Sequence, residues 1–142
     1  MALLSYSGPG VAAPKIPKEI REFVARFLPS VEHLETFIVL QRSTTRSWSA
    51  SDLSAELRIP QLTADIVLEQ LASDNFLEVK ISNDIVYRFN PATEALERAS
   101  AICADFYRRD RLAIINFVMA ATLGPLHDFA EAFRIKKGKR SA

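Results

Sequence analysis

The spacing of hydrophobic and polar positions predicts a short helix near the middle of the chain. Ser49 stands three residues before Asp52, which is the spacing of a capping box at the start of a helix. Apolar residues then repeat on one face at Ala50, Leu53 and Leu57. The pattern therefore predicts a helix that begins directly after Ser49.

Pro60 separates this helix from a second one. A residue that precedes proline is disfavoured in the helical conformation, whereas proline itself suits a helix start, so we expect the chain to bend over residues 58–61 and restart. An apolar stripe of the second helix consists of Ala64, Val67, Leu68 and Leu71. The residues predicted to face outward as a recognition face are Gln61, Thr63, Asp65, Glu69, Gln70 and Ser73.

After Asp74 and Asn75 the hydrophobic period changes from helical to alternating. Residues 77–81 and 85–89 each place apolar side chains at every second position, which predicts two strands. Ser82, Asn83 and Asp84 supply turn chemistry between them. Two helices joined at a tight corner and followed by a hairpin are the signature of a winged helix-turn-helix, in which the hairpin is the wing. Trp48 is expected in a short strand that joins this sheet, as a core anchor.

Further helices are predicted on both sides of this core. The apolar spacing from Ile20 to Leu28 predicts a helix that stops at Pro29, and Ser30 can cap the next helix over residues 31–43. Beyond Pro91 a long helix is expected to run to residue 123, and whether it breaks between residues 108 and 111 stays open. A last amphipathic helix is expected from residue 126 to residue 133.

The predicted fold class is α+β and mainly helical: a winged helix-turn-helix core with a two- to three-strand wing, flanked by an N-terminal helix and a long C-terminal helical extension. We expect residues 1–17 to form a flexible leader and residues 18–91 the winged domain with its preceding helix. Residues 92–137 form the predicted C-terminal extension, and residues 138–142 a basic tail.

Composition excludes several classes of function. With 142 residues, of which 49% are hydrophobic, the chain fits one domain, and its net charge of +1 predicts no strong overall attraction to polyanions. The single Cys103 excludes an internal disulfide framework and is expected to be a buried thiol. One cysteine with His33 and His127 predicts no zinc site. Because catalytic motifs such as a glycine-rich loop are absent from the sequence, we predict a non-enzyme without cofactor or metal, located in the cytoplasm.

A set of residues spread over the chain resembles a family. The set is Val31, Leu34, Glu35, Leu40, Arg42, Trp48, Tyr87, Pro91, Tyr107, Arg111, Ile114, Ile115 and the closing stretch Phe129-Ala130-Glu131-Ala132-Phe133-Arg134. It resembles a group of bacterial winged-helix proteins of the MarR-like type that carry a C-terminal helical extension. The resemblance implies the architecture and the class of transcriptional regulators, and it transfers no functional residue.

Two functional hypotheses follow. The first is a dimeric transcriptional regulator, paired through its C-terminal helices, that binds duplex DNA. Its predicted DNA-binding residues are Arg42, Arg46, Gln61, Thr63, Gln70, Ser73, Lys80 and Arg88. The second is an interaction module that binds another protein and not DNA, and no membrane is expected as a partner in either case. Its predicted partner-binding residues are Asp65, Glu69, Ile114, Phe117, Val118 and Ala121.

Charge favours the second hypothesis and architecture favours the first. Residues 49–75 contain five acidic side chains and one basic side chain, a net charge of −4 that would repel phosphates. A small-molecule site between the winged core and the C-terminal helices, lined by Phe106, Tyr107 and Phe117, also stays open.

Overall fold

The computed structural model describes residues 16–121. The predicted leader, except for its last two residues, the last amphipathic helix with its Phe-Ala-Glu-Ala-Phe-Arg stretch, and the basic tail lie outside the described residues. The elements are α1 (Lys18–Phe27), α2 (Val31–Arg42), β1 (Ser47–Trp48), α3 (Ala50–Leu57), α4 (Gln61–Ser73), β2 (Leu77–Ile81), β3 (Ile85–Phe89) and α5 (Glu94–Arg109). Residues 111–121 are helical and are called α6 here. The predicted fold class, a mainly helical α+β winged helix-turn-helix, is confirmed.

Side-chain caps begin two of these helices where the sequence predicts them. The Ser30 hydroxyl accepts the backbone N–H of His33 at 3.1 Å in front of α2. Before α3, the Ser49 hydroxyl accepts the Asp52 N–H and the Asp52 carboxylate accepts the Ser49 N–H, both at 3.0 Å. These bonds satisfy amides that have no partner inside the helix, so the capping box is confirmed.

The corner between α3 and α4 is tight. Arg58 lies in the left-handed region at φ 57° and ψ 49°, and its N–H donates to the Ser54 carbonyl. Ser54 also donates its hydroxyl to the Ile59 carbonyl at 2.5 Å. Pro60 then immediately precedes α4 with φ −59°. The predicted bend and restart are therefore confirmed, and Ser54 is the side chain that ties the corner together.

The sheet has three antiparallel strands in the order β1–β3–β2. Trp48 of β1 lies opposite Tyr87 of β3, which confirms the predicted short strand at Trp48. In the hairpin, Leu77 lies opposite Phe89 at the base and Ile81 lies opposite Ile85 at the tip. Wing and helices are joined at the base because Leu77 and Phe89 are both buried in the common core.

Phe76, at the junction of α4 and β2, lies at the centre of an aromatic cluster. It is fully buried. Its ring makes edge-to-face contacts with Phe23, Phe27 and Phe37 at centroid distances of 5.7, 5.1 and 5.6 Å. These contacts join α1 and α2 to the start of the wing. The N-terminal helix is therefore an integral part of the winged core.

The C-terminal extension is broken at Asp110, which settles the open question about its continuity. The Asp110 N–H donates to the Phe106 carbonyl at 2.8 Å and so closes α5. Its carboxylate accepts the Ala113 N–H at 3.3 Å and so caps α6. Arg111 lies 3.6 Å from the Glu35 carboxylate of α2. That ion pair connects the start of α6 to the winged core.

Candidate nucleic-acid interface

Helix α4 turns one face into the core and the opposite face to solvent. All four residues of the predicted stripe, Ala64, Val67, Leu68 and Leu71, are buried. The helical period places Leu62, Ile66, Glu69 and Ser73 on one line opposite that stripe. Leu62 is 71% exposed and Ile66 is 47% exposed.

Leu62 and Ile66 belong to the outward face, although they were not among the residues predicted for it. Their outward position could have been predicted from the sequence, because both residues lie opposite the apolar stripe in the helical period. The predicted recognition face contained only polar residues. The central line of the recognition face is therefore apolar at Leu62 and Ile66, in the first half of α4, and polar at Glu69 and Ser73, in the second half.

Gln70 and Thr63 lie on the flank of α4 that faces α2. The Gln70 side-chain oxygen is in hydrogen-bond contact with His33 Nε2. The other ring nitrogen of His33, Nδ1, lies 2.7 Å from the Ser30 hydroxyl. Ser73 lines the same depression as His33 and Gln70. Gln70 is thus engaged within the protein, whereas Ser73 stays exposed.

Asp65 and Glu69 lie toward the wing. Burial is the main cause that raises the pKa of the Tyr87 hydroxyl above its ordinary value of 10.0, and the carboxylates of Glu69 and Asp65 raise it further. The helical period places both carboxylates on the flank of α4 opposite the one that carries Gln70 and Thr63. Gln61, four residues before Asp65, lies on the same flank and is exposed.

One face of the wing is apolar beyond the limit of the core. Tyr87 and Phe89 are buried near the base. On the same face toward the tip, Ile81 is 74% exposed, and Val79 and Ile85 are also exposed. The alternation of apolar and polar residues predicted the strands correctly. It did not show that the apolar face of the wing extends beyond the helices that cover its base.

The other face of the wing holds an ion-paired arginine. Arg88 donates through Nη2 to the Glu78 carboxylate, and its Nη1 lies 3.4 Å from the Thr44 carbonyl. The hydrogen bond from Arg88 is the main cause that holds the pKa of Glu78 below its ordinary value. A phosphate would therefore compete with Glu78 for Arg88. Lys80 is exposed on this same face of the sheet.

The two remaining arginines predicted to bind DNA lie apart from each other. The guanidinium of Arg46 stacks 3.6 Å from the centroid of the Trp48 ring, beside β1. Arg42 lines a 180 Å³ cavity between α2 and α5, together with Tyr107 and Arg111. Of the aromatic residues predicted to line a crevice there, only Tyr107 borders this cavity. Arg42 thus faces the C-terminal helices and not α4.

The residues predicted to bind a partner on α6 have different exposures. Ile114 and Val118 are buried against the core of their own chain, Phe117 is half-buried and Ala121 is exposed. The large exposed apolar side chains of α6 are Leu112 and Met119. Ile114 and Val118 therefore present no accessible surface in this arrangement, whereas Leu112 and Met119 do.

Ionisable groups in the described part of the chain show no sign of metal binding. Among residues 16–121 no three His, Cys, Asp or Glu side chains are grouped so that they could hold a metal ion. Burial raises the pKa of the Cys103 thiol to about 12, so it stays protonated near neutral pH. None of the helices in this range has the length and hydropathy needed to cross a bilayer.

Three solved structures are similar to this chain. Reduced HlyU from Vibrio cholerae N16961 is 16% identical with a TM-score of 0.47, over 63% of this chain and 86% of that one. The adhesin competence repressor AdcR from Streptococcus pyogenes is 14% identical with a TM-score of 0.46, over 80% and 86%. BpsR from Bordetella bronchiseptica, whose DNA binding is regulated by 6-hydroxynicotinic acid, is 16% identical with a TM-score of 0.45, over 85% and 82%. No protein-family model and no curated protein matches the chain.

Proposed function

We propose that this chain is a non-enzymatic regulator that binds duplex DNA, with α4 in the major groove and the wing beside it. The observation that carries the proposal is the position of α4. Its inner stripe is buried and its outward face is exposed from Leu62 to Ser73, next to a three-stranded wing. A helix held in this way can enter a groove that is wide enough for an α-helix.

The positive charge for phosphate contacts must come from outside α4. Helix α4 contains no lysine or arginine. Exposed cations close to it in the chain are Arg58 at the corner, Lys80 on the wing and Arg46 beside β1. Since phosphate neutralisation supplies most non-specific affinity, we expect modest binding that weakens as salt rises.

Fluorescence anisotropy with a random-sequence duplex tests the proposal. Binding should appear at about 50 mM salt and weaken by roughly an order of magnitude or more at about 200 mM. Lys80→Ala should lower the affinity and reduce the salt slope by about one phosphate contact. Lys18→Ala, an exposed lysine on α1, is the matched control and should bind as the parent does. Absence of binding at both salt concentrations would contradict the proposal.

The proposed regulator is a homodimer that pairs through its C-terminal helices. Leu112 and Met119 support this, because they are exposed apolar residues seven positions apart and hence on one face of α6. Sedimentation equilibrium should give a dimer, and Leu112→Glu should shift it toward the monomer. A parent chain that sediments as a monomer at all concentrations would exclude the pairing.

A second candidate function, docking onto another protein, is favoured by the chemistry of the same face. Leu62 and Ile66 are exposed on α4 beside the carboxylates of Asp65 and Glu69, and five acidic residues in 49–75 repel phosphates. The double variant Asp65→Lys and Glu69→Lys separates the two candidates. If the parent binds duplex DNA, the variant should bind it more tightly. If the parent binds none and the variant does, protein docking replaces DNA binding as the proposed function.

A further inference from the structure

The composition of α4 excludes the commonest way in which a recognition helix reads guanine. Arginine and lysine recognise guanine through its O6 and N7 acceptors. The sequence of α4, QLTADIVLEQLAS, has neither residue and also lacks histidine and asparagine. Its two charged side chains, Asp65 and Glu69, accept hydrogen bonds and would be repelled by those same guanine acceptors. A guanine opposite this helix would find no donor of the usual kind.

The side chains that α4 does present match an A·T base pair. Glutamine pairs bidentately with adenine N6 and N7, and apolar side chains contact the thymine methyl group. Gln61 is exposed in the first turn of α4, which is the part of a recognition helix that reaches base edges. Leu62 and Ile66 are the exposed apolar side chains on the outward line of the helix.

Spacing along the helix fits neighbouring bases. Leu62 and Ile66 are four residues apart, so they are separated by about 6 Å along the axis at 1.5 Å per residue. Two base steps on one strand span about 7 Å. The two side chains can therefore contact methyl groups of thymines that lie within two steps of each other. Gln70 is excluded as a second adenine reader because its side-chain oxygen is engaged by His33.

We propose that α4 selects A·T base pairs, with Gln61 bonded to adenine and with Leu62 and Ile66 packed against thymine methyl groups. This inference rests on the proposed DNA binding. It goes beyond it by naming the bases that are read and the side chains that read them.

Replacement of thymidine by deoxyuridine is the direct test, because it removes only the C5-methyl group. The full chain would first select duplexes from a random 24-bp library, and the selected duplex would then be made with thymidine or with deoxyuridine. Each buried methyl group should contribute roughly fourfold in affinity, so loss of two contacts should weaken binding by about 10- to 20-fold. A·T pairs should be enriched at the positions that α4 covers.

Variants assign the effect to particular side chains. Leu62→Ala should reduce the thymidine-to-deoxyuridine difference by roughly fourfold. Ile102→Ala removes an exposed apolar side chain of α5 and should leave the difference unchanged. Gln61→Ala should reduce the preference for adenine over the other bases at the selected position by about tenfold.

Each outcome separates this inference from the proposed function. Equal binding of the thymidine and deoxyuridine duplexes, or selection of G·C pairs, would overturn A·T reading while DNA binding itself stands. If the chain binds no member of the library, both the proposed DNA binding and the proposed A·T reading are contradicted. A methyl effect of unchanged size in Leu62→Ala and also in Ile66→Ala would assign the contact to other residues and overturn the proposal.

Discussion

Two leucines of helix α4 show that its two faces contribute differently to the stability of the fold. Leu68 has no exposed surface, whereas Leu62, six residues earlier in the same helix, is 71% exposed. Burial of a leucine side chain contributes about 1.5–3 kcal/mol to folding, and an exposed leucine contributes little. The inner face therefore stabilises the fold. The outer face has no comparable structural role, and its apolar residues are available for binding.

The wing repeats this division along its length. Phe89 near the base is buried in the core, and Ile81 on the same side of the sheet is 74% exposed at the tip. Both belong to one alternating pattern in the sequence. The exposed apolar residues of α4 and of the wing differ from the buried ones only in whether another element lies above them.

Substitution of the two leucines tests this division most strongly. Leu68→Ala should lower the free energy of unfolding by about 2–5 kcal/mol, because it removes packed methyl groups and leaves a cavity. Leu62→Ala should change it by less than about 0.5 kcal/mol. Urea unfolding monitored by circular dichroism measures both variants. A destabilised Leu62→Ala would mean that the outward face is covered in the folded chain.

The buried thiol of Cys103 gives a pH-dependent test of the inner region. Its pKa is raised from 9.0 to about 12 by burial, so between these values the unfolded chain loses the proton and the folded chain keeps it. Stability linked to this thiol is therefore complete below pH 9 and is lost as the pH rises toward 12. Cys103→Ala should show a shallower loss of stability across this interval.

The reactivity of the Cys103 thiol tests its raised pKa at a lower pH. At pH 8 a disulfide reagent should modify the native chain roughly a hundredfold or more slowly than the urea-unfolded chain, because the thiolate is the attacking species. Cys103 is the only cysteine of the chain, so the signal is unambiguous. Equal rates in the two states would contradict burial of this side chain.

Removal of the capping box tests how much this cap contributes to the stability of the helix-turn-helix. Ser49→Ala removes the hydroxyl that accepts the Asp52 N–H and should lower the free energy of unfolding by about 1 kcal/mol. Ser51→Ala, at an exposed position of the same helix, is the matched control and should have little effect. Equal effects of the two substitutions would show that the cap contributes nothing specific.

The smallest expected effect lies at the corner. Arg58 has a positive φ of 57°, which glycine adopts without the steric penalty of a Cβ atom. Arg58→Gly should therefore raise the free energy of unfolding by up to about 1 kcal/mol. The same variant should weaken duplex binding because it removes a cation beside α4. If Arg58→Gly gains stability and keeps full affinity, phosphate contact at the corner is excluded.

Local signals in the sequence were sufficient for most element boundaries. The capping box at Ser49, the break at Pro60 and the change of period after Asn75 each depend on neighbouring residues only, and the structure confirms all three. The break at Asp110 stayed open, because its position depends on a cap together with the contact between Arg111 and Glu35 of a distant helix. Such a contact exists only once the helices are packed.

The candidate site was predicted less completely for the same reason. The outward position of Leu62 could have been read from the helical period, but the engagement of Gln70 by His33 joins residues 37 positions apart. Likewise the pairing of Arg88 with Glu78 depends on the register of the hairpin. Residue type indicates what a side chain can bind, and only the folded chain decides whether that side chain is already bound.

The sequence by itself determined the order of helices and strands, their caps and the inner stripe of α4, since these follow from periodicity and short-range hydrogen bonds. The tertiary structure decided which apolar residues stay uncovered, which cations are already paired, and that Ile114 and Val118 belong to the core. The physical reason is that burial and ion pairing are properties of two surfaces in contact. One segment of sequence specifies only one of those surfaces.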